Sequence, residues 1–451
     1  MSESSDLFLE TADRIGRRLC RDALWAGGRC NWLGWAMVQN RQFWLPAYRA
    51  QTVPLYDGTS GIAFFLSWLV HFTEDPVERA TLLGALNQVR QAVADSRPSD
   101  ILGFYRGFAG IAAAFMHAGN VLGEERWTRC GVEILAILAK IEPDATRLDV
   151  MDGSAGTIPV LLQAAVQFGR EELIVAAKAH GDLLLQTAVR SELGWSWNTG
   201  GSAENIPLVG YAHGAGGIAC ALLELHRVTG EEQYHEAALE ALRFECSQFN
   251  PQWHNRPDLG ADGRAPALPI NQGARSAVTW CYGAPGVGLS RLRIREALSS
   301  DHDVAVELET ALQFTKLTLT QPAGMSEGFC LYNGAGGLAD FLLEAAKTLG
   351  VPEWHQLADA VGRTGIASFH ETDMPWPCGV FGRGESPNLM LGLAGIGYLY
   401  LRLHSPASVP CILVITPDAF AHESGARGSG RESRVLQIAH PSAGKPQPLR
   451  R

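Results

Sequence analysis

The chain has 451 residues, 46% hydrophobic and 19% charged, with a net charge of −10. That balance predicts an ordinary globular protein and argues against a nucleic-acid footprint. No apolar run reaches the length of a membrane span, and the opening MSESSDLFLE has no secretion-signal pattern. Nine scattered cysteines without a close CxxC pair predict reduced thiols and a cytoplasmic protein.

In chain order, the first predicted helix is DLFLETADRIGRRLCRDALW (6–25), whose apolar residues return every three or four positions. A glycine turn and an almost wholly apolar helix follow, YDGTSGIAFFLSWL from residue 56, then a polar-faced helix at 77–94. The same G-x-x-G turn and apolar helix recur from residues 105, 151, 212, 281, 332 and 390, with an amphipathic helix between successive copies. Seven alternations of this kind predict two layers, the apolar helices inside. Because the first and last copies keep the apolar inner helix, a ring is favoured over an open solenoid. The predicted fold is all-α, an α/α toroid of seven helical hairpins in one domain over 1–416. The first glycine of each turn is expected to need a positive φ, and the fourth to permit close backbone approach. All seven inner helices would start at one mouth, where their positive ends favour an anion.

Equivalent turn positions form a ring of side chains. Immediately before the first glycine stand Asp57, Arg106, Asp152, His213, Tyr282, Asn333 and Leu391. One position earlier are Tyr56, Tyr105, Met151, Ala212, Cys281, Tyr332 and Met390. Asp57, Asp152 and Asn333 read as helix caps. His213 with Cys281 and Tyr282 reads as chemistry: acid, base, nucleophile or metal ligands.

At these residues the chain resembles the lanthionine synthetase C-like (LanC) cyclases. The stretches that carry the resemblance are GYAHGAGG (210–217), WCYGAPGVGL (280–289) and LMLGLAGIGYLYLRL (389–403). LYDGTSGIAFFL and RCNWLGW are most similar to the cyclase half of the bifunctional class II lanthipeptide synthetases. The resemblance covers 6–416 and implies the same toroid. It implies addition of a peptide cysteine thiol to dehydrated Ser or Thr, giving thioether rings, with a zinc ion held by Cys, Cys and His. By motif it makes His213 and Asp149 the proton-handling pair and Cys281 the first zinc cysteine, with Tyr282 beside it. The family's arginine falls at Ala277, so Arg275 is its candidate replacement.

The remaining zinc ligands should be a Cys-His pair at 332–333, where this chain has Tyr332-Asn333. A phenol and a neutral amide are poor zinc ligands, and Cys330 lies two residues too early. No cofactor is therefore expected. Trp280, Cys281, Tyr332 and Asn333 are expected to line the substrate site, with His213 or Tyr332 deprotonating the thiol without metal. The alternative is a toroid that has lost its chemistry and binds the precursor or modified peptide for partner enzymes. A carbohydrate-active toroid would need paired carboxylates such as Asp57 and Asp152, whose context does not favour that use.

Three long inserts, 189–210, 247–279 and 370–389, carry Trp195, Trp197, Trp253, His254 and Trp376, either to bind substrate or to cover the rim. From 417 a Gly, Ser, Pro and Arg-rich composition predicts a disordered basic tail over 417–451. Expected partners are a ribosomally made precursor peptide and a separate dehydratase or kinase/lyase, since the chain has no further segment large enough for either.

Overall fold

The structure, a computed structural model, describes residues 3–40, 43–96, 102–199, 207–249, 279–281, 283–295, 298, 302–321, 328–380 and 384–415. The proposed tail therefore lies outside the described residues.

The chain opens with α1 (Glu3–Asp22), an outer helix. Six inner–outer hairpins follow: α2 (Thr59–Thr73) with α3 (Pro76–Ala94), α4 (Phe108–Leu122) with α5 (Glu125–Leu138), and α6 (Ser154–Phe168) with α7 (Glu171–Thr187). Next come α8 (Ala215–Thr229) with α9 (Glu232–Ser247), α10 (Ala284–Arg295) with α11 (His302–Thr320), and α12 (Ala335–Leu349) with α13 (Pro352–Gly365). The last inner helix, α14 (Leu393–His404), takes α1 as its outer partner. Each inner helix packs on the inner helices before and after it, and α14 packs on α2, so the layer closes into an α/α toroid.

Composition explains the layers. Helix α2 is buried without a break from Thr59 to Val70, as an all-apolar helix must be. Helix α3 buries one stripe that includes Thr81, Leu82, Ala85, Leu86 and Val89. The seam between the chain's two ends is sewn by polar contacts: Ser5 Oγ lies 2.9 Å from His404 Nδ1, and Arg18 pairs with Glu385 at 2.8 Å.

The glycine turns differ from expectation in one respect. Gly58, Gly107, Gly153, Gly214, Gly334 and Gly392 are helix N-caps with extended backbone, φ between −102° and −142°, so no positive φ is involved. Space decides instead. A Cβ on Gly107 would lie 1.6 Å from the Leu102 carbonyl oxygen. The fourth glycine obeys one rule in all seven turns, because its missing Cβ would sit 1.8–2.1 Å from the carbonyl oxygen six residues earlier, from Leu55 O at Gly61 to Leu389 O at Gly395. Left-handed glycines occur at the opposite helix ends, at Gly123, Gly169, Gly230 and Gly350.

Close approach lets the loops before α2, α6, α8, α12 and α14 cap their own helices with backbone. Thr59 N–H donates to Thr52 O at 2.8 Å, Ser154 N–H to Arg147 O at 3.0 Å, and Ala335 N–H to Gly328 O at 3.0 Å. Asp57, Asp152 and Asn333 are therefore not the caps they resembled, since the N-cap residues are glycines without a side-chain bond. Adjacent turns are stitched by backbone rungs at the mouth. Tyr56 N–H donates to Tyr105 O, Tyr105 to Met151, Met151 to Ala212, Trp280 to Tyr332, Tyr332 to Met390, and Met390 back to Tyr56, all at 2.8–3.2 Å.

Three antiparallel hairpins decorate the helices, which a purely helical reading missed. They are β1 (Leu24–Ala26) with β2 (Arg29–Asn31), β3 (Leu33–Asn40) with β4 (Phe43–Ala50), and β5 (Val189–Ser191) with β6 (Gly194–Ser196). Within β3 burial alternates, with Leu33 exposed, Gly34 buried, Trp35 half-buried and Ala36 buried. Ser386 Oγ donates to Trp35 O at 2.7 Å and ties the second hairpin to the last glycine turn.

After α14 the chain turns inward, and 411–415 run buried through the toroid. The backbone of 409–415 is met by side chains of inner helices and turns. Tyr398 OH donates to Pro410 O, Arg402 Nη1 to Val409 O, Tyr105 OH to Ile412 O and Trp280 Nε1 to Leu413 O, while Ile415 N–H donates to Tyr211 OH, at 2.7–3.1 Å. This plug rises from the α14 end to the underside of the mouth. Among the described residues no helix is long and apolar enough to cross a membrane.

Candidate functional site

The mouth is built by turns, and each turn aims the residue before its first glycine. His213 precedes α8. Its Nδ1 lies 2.5 Å from Asp149 Oδ2, and the same carboxylate accepts Asp152 N–H on Oδ1 at 2.8 Å. The His213 ring also hydrogen-bonds the side chain of Cys281, and Thr199 Oγ1 donates to the His213 carbonyl. Cys281 and Asp149 are buried and the His213 side chain is 20% exposed, so the group meets solvent mainly through the imidazole. Burial works against the imidazolium, but the Asp149 carboxylate and the Cys281 hydrogen bond outweigh it and raise the His213 pKa to about 10. His213 is thus a proton donor at neutral pH, oriented by a carboxylate and facing a thiol.

Around this trio the mouth is mixed in charge. Burial and neighbouring Asp149 raise the Asp152 carboxyl above its usual range. Arg106, before α4, lies over the Tyr56 ring with 5.2 Å between guanidinium carbon and ring centroid. Arg49 from β4 approaches Asp57 at 3.8 Å. A groove of about 510 Å³ opens beside them, with Arg49, Asp57 and Arg106 in its lining and Met37, Val53 and Phe108 among its apolar walls.

The sequence-predicted residues divide clearly. His213, Asp149 and Cys281 come together. Tyr332 is half-buried, its ring edge-on to Tyr56 at 6.0 Å and to Trp280 at 6.5 Å. Trp280 is fully buried and anchored to the plug. Asn333 Oδ1 accepts the Cys330 thiol at 3.0 Å, and burial pushes that thiol's pKa up. Arg275 and Tyr282 lie outside the described residues, as do Trp253 and His254. Trp197 and Trp376 are core residues, which corrects a substrate-binding reading for both: Trp197 Nε1 donates to Leu184 O, and Trp376 packs against Phe329. Trp195 stacks under Arg190 at 4.3 Å.

The donor set does not fit a three-ligand zinc site. The Cys281 side chain is engaged by His213, the Cys330 thiol by Asn333, and Tyr332 is packed between rings. Among the described residues no three His, Cys, Asp or Glu side chains gather as a metal site. First-turn N–H groups that would have favoured an anion are committed at α2, α6, α8, α12 and α14, where loop carbonyls accept them. Sequence reasoning placed Arg106 in the mouth ring but gave it no role, since its neighbours come from other repeats.

Comparison with known proteins agrees with the geometry. A search of curated proteins finds no match. Among solved structures the chain is similar to nisin cyclase, with 16% identity, 81% of this chain and 93% of that chain covered, and a TM-score of 0.60. Weaker similarities link it to a GH76 α-mannanase from Bacteroides thetaiotaomicron (12% identity, 88% and 95% covered, TM-score 0.44). An unsaturated glucuronyl hydrolase from Bacillus sp. GL1 follows at 13% identity, 70% and 84% covered, and TM-score 0.43. The family model for lanthionine synthetase C-like protein matches residues 50–414, most of the chain and all seven glycine turns. With the toroid and the mouth residues in place, that match means the chain belongs to the lanthionine synthetase C-like family.

Proposed function

We propose that the protein is a peptide cyclase that adds cysteine thiols to dehydrated Ser or Thr residues of a ribosomally made peptide, forming thioether rings without a bound metal. The observation that carries this reading is the Cys281–His213–Asp149 cluster at the mouth of a LanC-type toroid. In the addition, the thiolate sulfur of the peptide bonds to Cβ of the dehydroamino acid. The alkene electron pair moves toward Cα and the carbonyl oxygen, and His213 delivers its proton to Cα. The proton that left the thiol restores the imidazolium, so the net change is addition of S–H across C=C. A peptide thiol has a few per cent thiolate at neutral pH, which is enough for a positioned addition. Dehydration of Ser and Thr is a distinct, preceding reaction, and the domain is taken to end near 416.

The direct test is a dehydrated peptide with one cysteine, incubated with the purified protein and then labelled with a thiol reagent. Loss of the labelled mass measures ring formation, since cyclisation itself leaves mass unchanged. Persistence of the free thiol at the uncatalysed rate would remove the reading. One observation favours a second reading, a toroid that only binds the peptide: Tyr332 and Asn333 occupy the turn where the resemblance implies ligands. Peptide binding without thiol loss would select it.

Zinc measured by mass spectrometry is expected well below one ion per chain. Tyr332→Cys with Asn333→His should raise it toward one, because together with Cys281 they complete a Cys, Cys, His set. Near-stoichiometric zinc in the unmodified protein, lost on Cys330→Ser, would contradict the metal-free reading.

A further inference from the structure

Adding a thiolate to a dehydroamino acid puts negative charge on the acceptor's carbonyl oxygen, and a site without a metal must answer that charge. At α2, α6, α8, α12 and α14 first-turn N–H groups are already bonded to loop carbonyls, which leaves them less able to do so. Ala277 stands where an arginine would be expected. Arg106 offers a guanidinium at the mouth instead. It lies over Tyr56, within electrostatic reach of Asp152, Asp57 and Cys281, and Tyr56 in turn feels both Cys281 and Arg106. Arg106 also lines the groove beside the mouth, together with Arg49 and the apolar side chains of Met37, Val53, Phe108 and Ile111.

We infer that this groove is the acceptor subsite, holding the dehydrated segment of the peptide with its carbonyl oxygen against Arg106, which acts as a further catalytic residue. The inference rests on the cyclase reading above. Three observations select this occupant. The apolar walls suit dehydroalanine and dehydrobutyrine, which are small and uncharged. Arg106 links the groove to the proton donor through Asp152, whose carboxylate feels both Arg106 and His213. A fixed guanidinium complements charge that appears only as the bond forms, so its contribution is to the transition state. Burial works against its charge, yet Asp152 foremost, with Tyr56 and Asp57, keeps Arg106 protonated. In the step, the S–H bond breaks, the C–S bond forms at Cβ, and the displaced electron pair rests on the carbonyl oxygen beside Arg106. It then takes the His213 proton at Cα, and the thiol proton refills His213.

The test compares unmodified protein, Arg106→Gln and Arg106→Lys on the singly dehydrated peptide, following thiol loss and thermal unfolding. Arg106→Gln should lower kcat about 100-fold with KM changed less than about threefold, as for loss of a transition-state donor. Arg106→Lys keeps the charge but not the planar fork, and should lose about tenfold. A purely structural role would lower the melting temperature or act through KM. Arg106→Gln with kcat within about threefold of the unmodified protein, or a loss confined to KM, overturns the assignment while leaving the cyclase reading intact. If Arg106→Gln does not fold, Arg106→Lys decides, and an unchanged kcat in it overturns the assignment. Unmodified protein that consumes no thiol removes both this inference and the cyclase reading.

Discussion

Replacing His213 by Asn should lower the rate of thioether formation by about 10²–10⁴-fold while the toroid stays folded. The imidazole both faces the Cys281 thiol and carries a carboxylate partner. Asn keeps a polar side chain of modest size but cannot deliver a proton. The pH dependence carries the same argument further. With a pKa of about 10, His213 stays protonated through neutral pH, so activity that depends on its proton falls only as pH rises through about 10. Asp149→Asn removes the carboxylate that most strongly raises this pKa, and the alkaline limb should move down toward the ordinary histidine value near 6.5.

Stability follows the same sign. A group with a raised folded-state pKa contributes fully below the unfolded value, near 6.5, and its contribution disappears as pH rises through about 10. Asp149→Asn should therefore destabilise most near neutral pH and least above pH 10. Rate–pH profiles and an NMR titration of the His213 ring check both statements. Full activity in a folded His213→Asn protein would move the assignment to a peptide-binding toroid.

Ending the chain after Ser408 should abolish folding, whereas ending it after Thr416 should leave the melting temperature unchanged. The first cut removes Val409, Ile412, Leu413, Val414 and Ile415, all buried. At about 1.5–3 kcal/mol for each large apolar side chain, their sum rivals the whole stability of a typical domain. The cut also strips partners from Tyr398, Arg402, Tyr105, Trp280 and Tyr211. Arg402 would keep Asp340 and Glu344, its buried carboxylate partners, beside an opened void. Trp280 and Tyr211 stand next to the Cys281 and His213 turns, so any residual fold would carry a misplaced mouth. Circular dichroism and thermal melts on both truncations test this. A Ser408-terminated chain that melts like the full one would show the plug to be dispensable.

The toroid was legible because its information is local and repeated. An all-apolar helix beside a striped one states its layer in its own composition, and seven copies of one glycine turn state the closure. His213 and Cys281 were legible for a related reason: each sits at an equivalent turn position, and equivalent positions meet at one mouth, whereas Asp149 came from the motif resemblance alone. The conformation of the first glycines was misjudged, because a sequence shows that a side chain is forbidden but not whether the dihedral or a neighbouring carbonyl forbids it. The caps were misjudged with them, since loop carbonyls replaced the carboxylates. The buried course of 411–415 had no sequence signal beyond a short apolar run, CILVI, because its backbone partners lie between 133 and 307 residues away. Arg106 is the same case. Its residue type and repeat position belong to the sequence, but its place between Tyr56, Asp152 and Cys281 depends on three other repeats packing around it, and only long-range contacts decide that.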